Sequence, residues 1–408
     1  MPQHSWKFKS HFRREAYSWK STSLASKRMR EAVSEIKKVA KKDKSLAGEG
    51  VIELFVRLYP ALMQIDSSSG ALGRAMNKTI DALQPILIEA EWEMNTRGKH
   101  LEILFEAIQN EGWGIFDNLR DHWGEICVYE GLAHLWADRL IPIVRQVLSS
   151  RDYSQFSGTD MCLSCLVYTG RYEELNELLK LYDMPFWFHK KFWALALLKQ
   201  GKLKEALSYA THIKSLQKVD SSDYEIDEFC ESVLIEMGNI EEAYQTYGLK
   251  VPFYGTYLNI FRGICKKYPT IDKRKILLDC IEKTGSKGKW FATAKTFGFL
   301  DLALECAQTS TSDPNTLLRA TRDFSEKNPE FAIKVGIEAI MVFLTGNFLE
   351  PIAPIDVYAA YSQVAQVAEK SEMIDWFRAE LSKRVLKESI TIKPGLRDAI
   401  MSRLKVEG

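Results

Sequence analysis

No stretch of this 408-residue chain approaches the roughly 20 consecutive apolar residues that a helix needs to span a bilayer. The charges near the N-terminus have no apolar run behind them, so a secretory signal is not expected. Alternating apolar runs bounded by turn dipeptides are missing, which argues against β-strands. No phosphate-binding loop and no nucleophile with an oxyanion hole stand at a readable spacing. Cysteine is scarce: seven residues, at 127, 162, 165, 230, 265, 280 and 306. An odd number scattered through helical text points to reduced, buried thiols of a cytoplasmic protein rather than a disulfide framework. Basic residues vanish locally too. Between Val219 and Leu249 there is no Lys or Arg, while Asp220, Asp223, Glu225, Asp227, Glu228, Glu231, Glu236, Glu241 and Glu242 supply nine acids.

What is present is ordinary in bulk and uneven in placement. A hydrophobic content of 46% with 27% charge suits a folded protein and excludes wholesale disorder. The net charge of +1 hides an asymmetry: residues 1–44 hold 13 Lys/Arg against 4 Asp/Glu, and the rest holds 42 against 50. Ordinary globular scaling would divide a chain of this length into two or three domains. A solenoid escapes that limit, because each hairpin packs only on its neighbours.

A short phrase recurs: glycine, a variable residue, an apolar residue, two mostly acidic residues, then Ala or Leu. It stands as Gly170-Arg-Tyr-Glu-Glu-Leu175, Gly201-Lys-Leu-Lys-Glu-Ala206, Gly238-Asn-Ile-Glu-Glu-Ala243 and Gly298-Phe-Leu-Asp-Leu-Ala303. Each copy follows one helical stretch and opens another. The glycine suits the left-handed geometry that ends a helix, and the small sixth residue lets two helices approach. These turns resemble the tetratricopeptide repeat where its two helices join. The resemblance implies an all-α fold, a right-handed tetratricopeptide-like α-solenoid of stacked helical hairpins, and binding of other macromolecules. The repeat is degenerate, since its copies lie 31, 37 and 60 residues apart. The small residue of the first helix is present as Ala194 in one copy but is Leu163, Glu231 and Phe291 in the others.

Helices are expected over 22–42, 46–65 with a bend near Pro60, 71–94, 97–110, 114–127 and 131–149. In the first, Ala25, Met29, Ala32, Val33, Ile36 and Val39 make one stripe, with Ser21, Thr22 or Ser23 as cap. Residues 311–408 continue as helices, with Pro314, Pro329, Pro351, Pro354 and Pro394 as starts or separators. The organisation read from this is a basic arm (1–44), an N-terminal helical region (45–155), the hairpins (156–310) and a C-terminal helical region (311–408). Over nearly its full length the chain is also similar to an uncharacterised family of bacterial α-helical proteins. Glu31-Ala-Val-Ser-Glu-Ile-Lys-Lys-Val-Ala40, Asp66-Ser-Ser-Ser-Gly-Ala-Leu-Gly73, Asp121-His-Trp-Gly-Glu125, Gly255-Thr-Tyr-Leu258 and Lys289-Trp-Phe291 carry that resemblance. It implies a bacterial cytoplasmic protein and lends no catalytic residues.

Six segments carry candidate chemistry. In the arm, Lys7, Lys9, Arg13, Arg14 and Lys20 alternate with Trp6, Phe8, Phe12, Tyr17 and Trp19, which suits phosphates and exposed bases of a nucleic acid. Alternatively the aromatics dock the arm on the first helices, or the arm pairs with the acidic 219–249 stretch, in one chain or across an oligomer. Asp121, His122 and Glu125 gather titratable groups, Asp121 and Glu125 sharing one helical face. A pocket joining them to Asp66 and Ser67 would mark an enzyme; a histidine packed within a helix, with a capping role for 66–70, is the plainer reading. Cys162 and Cys165 have the spacing of half a zinc site, but no second pair follows and they read as core.

The segment 183–193 holds Phe186, Trp187, His189, Lys190 and Trp193, expected as packing in part and otherwise as a groove suited to an acidic ligand. Lys289, Trp290 and Lys295 are expected either on the same concave face or in the packing. The reading is a non-enzymatic scaffold for a protein or peptide, with no cofactor or metal, and with nucleic acid through residues 1–44 as the alternative.

Overall fold

Ala25, Met29, Ala32 and Ile36 recur at helical spacing, and in the computed structural model they form the buried side of α1 (Thr22–Ala40). The structure describes residues 4–150, 156–217, 223–250, 255–309, 312–345, 352–387, 392 and 394–406. Its regular structure is helical throughout, with no strand among the described residues. The chain forms two compact units, Met1–Val233 and Leu234–Gly408.

The first unit continues with α2 (Lys44–Leu62), α3 (Ala71–Glu89), α4 (Met94–Gln109), α5 (Asp117–Asp121), α6 (Trp123–Cys127) and α7 (Glu130–Ser149). It is completed by α8 (Gly158–Tyr168), α9 (Tyr172–Leu181), α10 (Trp187–Lys199), α11 (Leu203–Leu216) and most of α12 (Asp223–Glu236). Neighbours stack as hairpins: α1 on α2 and α3, α2 on α4, α7 on α8, α8 on α10, and α10 on α11.

Two local expectations are corrected. Ser21 makes no capping bond to the first turn of α1, because its backbone (φ −91, ψ 13) lacks the extended geometry a side-chain cap requires. The segment 114–127 is not one helix but two, broken at His122 (φ −106, ψ 17).

The arm lies on α1 and α2. Trp6, Phe8, Phe12 and Tyr17 are buried, and Glu35 accepts the backbone amides of Lys7 (2.8 Å) and Phe8 (3.3 Å). The Trp6 ring fills the space over Gly50, where a Cβ would sit 2.4 Å from it. Lys9 pairs with Glu53 at 3.2 Å and Arg14 with Glu15 at 3.8 Å. Of the five rings only Trp19, 64% exposed, is free to stack on a ligand. Deeper in this unit, Arg97 is buried without a carboxylate. Its guanidinium donates to the carbonyls of Leu87, Ile88, Ala90 and Ile126, satisfying the C-terminal ends of α3 and α6.

The second unit holds α13 (Ile240–Ala243), α14 (Tyr257–Lys267), α15 (Lys273–Thr284), α16 (Phe291–Thr296), α17 (Leu300–Ala307), α18 (Pro314–Phe324) and α19 (Pro329–Thr345). It ends with α20 (Pro354–Lys370), α21 (Ile374–Val385) and α22 (Pro394–Val406). Pro314, Pro329, Pro354 and Pro394 stand at helix starts, where the missing amide costs nothing; Pro351 lies outside the described residues. Helix α19 packs on α17, α18, α20 and α21, and its buried Glu338 is met by Arg384 of α21 at 2.5 Å.

All four copies of the recurring phrase close in one way. Gly170, Gly201, Gly238 and Gly298 have φ of 71, 73, 80 and 80. The next amide in each reaches back five residues: Arg171 to Leu166, Lys202 to Leu197, Asn239 to Leu234 and Phe299 to Ala294, at 2.8–3.0 Å. This is the turn that satisfies orphan carbonyls at a helix end. A fifth copy occurs without glycine: Glu372 has φ 59, and the Met373 amide reaches Ala368 at 2.8 Å.

Candidate functional site

Helix α8 is buried over Met161–Leu166, so its first turn is fixed by the core behind it. That fixes Cys162 and Cys165 as well; burial pushes the Cys162 thiol up to about 12 and the Cys165 thiol well above its usual value. Helix α6 lies close on α8 because Gly124 has no side chain: a Cβ there would fall 2.7 Å from the Ser164 carbonyl oxygen. Ser164 Oγ accepts the Gly124 amide at 3.1 Å. With α10 on a further side of α8, these elements line a groove of about 2120 Å³ within the first unit.

The groove joins two segments that sequence reasoning treated separately. Lys191 Nζ meets Asp121 Oδ2 at 2.5 Å, tying α10 to α5. His189 Nδ1 lies 3.0 Å from Asp160 Oδ1, and Arg120 Nε 3.6 Å from Asp160 Oδ2. Arg120 also pairs with Asp117. His122 is exposed and bonds Glu125 at 2.8 Å, so it is not a histidine packed within a helix; the break that separates α5 from α6 turns it outward while Trp123 takes the core position. The same break removes the shared helical face of Asp121 and Glu125, which take separate partners.

Charge decides what the groove can hold. Glu111, Asp117, Asp121, Glu125, Asp160, Asp183, Glu225 and Glu228 line it, against Arg120, Lys191 and Lys199. The three cations are all engaged, Lys199 with the carbonyls of Val167 and Tyr168. Asp183, Glu225 and Glu228 have no cation within ion-pair distance among the described residues. Burial pushes the Asp121 carboxyl up to about 6, against the opposing pull of Lys191. Burial likewise raises Asp117, which Arg120 opposes. The hydrogen bond that His122 donates to Glu125 raises His122, and the same bond lowers Glu125.

Apolar surface is supplied by the start of α10. Phe186 and Phe188 stack at 5.6 Å with an interplanar angle of 18°, and Phe188 is 40% exposed. The Thr159 hydroxyl lies buried at the groove wall with no hydrogen-bond partner.

Several expected binding residues serve other ends. Trp187 lines the groove but is 2% exposed, its ring edge-on to Phe229 at 5.3 Å. Lys190 donates to the carbonyls of Leu179 and Tyr182, which closes the end of α9, and burial lowers its pKa. With Lys191 also paired, neither lysine beside His189 is left unengaged. Trp193 faces a separate depression of about 590 Å³ beside Tyr209 and His212.

Lys289, Trp290 and Lys295 belong to the second unit and do not line the groove; Trp290 is wholly buried and donates to Thr284 Oγ1 at 2.8 Å. Lys295 lies 4.0 Å from Asp323 and Lys289 is exposed. Asp66 and Ser67 are also outside the groove. Asp66 accepts the Ser68 amide at 2.9 Å, and Ser69 the Ala71 amide at 3.3 Å, ahead of α3. Asp160 was not legible, since one acid before a buried run carries no periodic signal.

No family model and no curated protein matches the chain. Among solved structures it is similar to a chain of the Naa15/Naa10 complex bound to HypK-THB, at 13% identity over 94% of this chain. It spans 66% of that chain's length, with a TM-score of 0.26.

Proposed function

We propose that the protein is a non-enzymatic helical scaffold that holds an extended, basic segment of a protein partner in the groove of its first unit. The observation that carries this reading is the groove's charge: every lining cation is already engaged, while Asp183, Glu225 and Glu228 are not. Lysine or arginine side chains entering there would meet free carboxylates, and an aromatic side chain would find the Phe186–Phe188 stack. Stacked hairpins suit the role, because their concave surfaces hold extended partners.

The test is a peptide array graded from acidic to basic, each peptide bearing one aromatic residue, probed with the purified protein and a Glu225→Lys/Glu228→Lys variant. Capture should rise with positive charge and fall at least roughly tenfold in the variant, a change of about 1.4 kcal/mol. Strongest capture of acidic peptides, or capture indifferent to the two reversals, would refute it.

A further inference from the structure

We infer a second binding surface: the solvent face of α1, with the arm beside it, docks on the phosphate backbone of a nucleic acid duplex without reading its sequence.

Residues 1–44 contain four carboxylates, and each is committed within the fold. Glu35 accepts the arm amides, Asp43 caps α2 by accepting the Leu46 amide, Glu31 pairs with Arg28, and Glu15 pairs with Arg14. Lys9 and Lys44 are paired with acids of α2 and of the segment after α3. Nine of the thirteen cations remain without a carboxylate partner, all of them exposed.

Four of the nine, Lys27, Arg30, Lys37 and Lys38, lie on α1, and Lys41 and Lys42 follow directly after its last residue, Ala40. At about 100° per residue, the four on α1 fall on the side of the helix opposite Ala25, Met29, Ala32 and Ile36. From Lys27 to Lys38 they extend over roughly 17 Å of helix axis at 1.5 Å per residue. A cluster of exposed cations on a rigid element matches a phosphate backbone, and no acid among the described residues lies within ion-pair distance of them.

Two observations select the duplex. Single-strand binding depends on aromatic platforms, and four of the five arm rings are buried. An amphipathic helix binds a membrane by inserting its apolar stripe, and in α1 Ala25, Met29, Ala32 and Ile36 are buried where the helix packs on α2 and α3. What remains on the surface is charge, which suits sequence-independent backbone contact.

The full-length protein is titrated into a fluorescein-labelled DNA duplex of mixed sequence at several salt concentrations. Anisotropy should report binding that weakens between about 50 and 200 mM salt, with a logarithmic slope of roughly −4 to −5 if four to six phosphates are neutralised. Lys37→Gln/Lys38→Gln/Lys41→Gln/Lys42→Gln removes unpaired, exposed groups and leaves the core intact, which circular dichroism verifies. It should weaken binding at least roughly tenfold and flatten the slope by about 3. The same number of neutralisations elsewhere, at Lys180, Lys202, Lys204 and Lys266, should leave both unchanged.

The proposal is overturned if no duplex is bound at low salt, or if the two quadruple variants lose affinity equally. It is likewise overturned if phosphatidylserine vesicles are bound and the duplex is not. Tighter binding of a single strand, abolished by Trp19→Ala, would replace it with stacking.

Discussion

Glu372 stands where the recurring turn needs left-handed backbone, with φ 59 on a residue that carries a Cβ. An L-residue in that region costs about 1–2 kcal/mol, whereas glycine adopts it freely. Glu372→Gly should therefore raise stability by roughly 0.5–1 kcal/mol, the gain being reduced by the greater freedom of glycine in the unfolded chain. Gly201→Ala imposes the opposite change at φ 73, with nothing within 4 Å of the added Cβ, and should cost about 1 kcal/mol. Urea denaturation of the two variants checks the pair, and equal shifts in one direction would exclude backbone strain as the cause. The same comparison shows why four turns were legible and the fifth was not. The hydrogen-bond pattern is common to all five, but only glycine advertises it in sequence.

Among elements, helix starts at prolines and the buried stripe of α1 follow from local chemistry, and sequence shows them directly. The groove does not follow in that way. It arises because α5–α6, α8 and α10 meet, and the pairs Asp121–Lys191 and Asp160–His189 link residues 70 and 29 positions apart. No periodicity encodes such partners, so the lysines of 190–191 read as free cations when both are spent.

Placement also gives the groove a pH response. The Asp121 carboxyl, raised to about 6, loses its charge as pH falls through that value, and His122, also raised, gains charge in falling pH. Both changes make the groove less negative. Binding of a basic peptide should weaken about threefold to tenfold between roughly pH 7.5 and 5.5, and Asp121→Asn should flatten much of that dependence. Unfolding is not the cause expected from these two groups. A carboxyl whose folded pKa is raised favours the folded state increasingly as pH falls from about 6 toward its unfolded value. A raised histidine likewise contributes its stability at low pH and loses it as pH rises through the folded value. Anisotropy titrations at both pH values, with circular dichroism alongside, separate the effects; pH-independent affinity would remove Asp121 from the binding site.

At the scale of the whole molecule, contacts are short-ranged in chain order. No pair of described helices more than three places apart shares a substantial interface. The boundary between the compact units, at Val233 and Leu234, falls inside α12, where no glycine, proline or polar linker marks it for a reader of the sequence. An architecture of nearest neighbours predicts that damage stays local. Trp6→Ala offers a direct test, because the ring is 5% exposed and packs against Gly50 of α2. Removing a buried tryptophan costs about 3–5 kcal/mol at the site. If stability is shared only between neighbours, amide exchange should quicken in α1 and α2, beneath the arm. Helices α10 and α11 of the same unit, and α19 to α21 of the second, should keep their protection. A uniform loss of protection would instead mean that each unit, or the whole chain, opens as one cooperative body. The arm would then be an integral part of that core, and the exposed cations it shares with α1 would be held in place by the entire fold rather than by two helices.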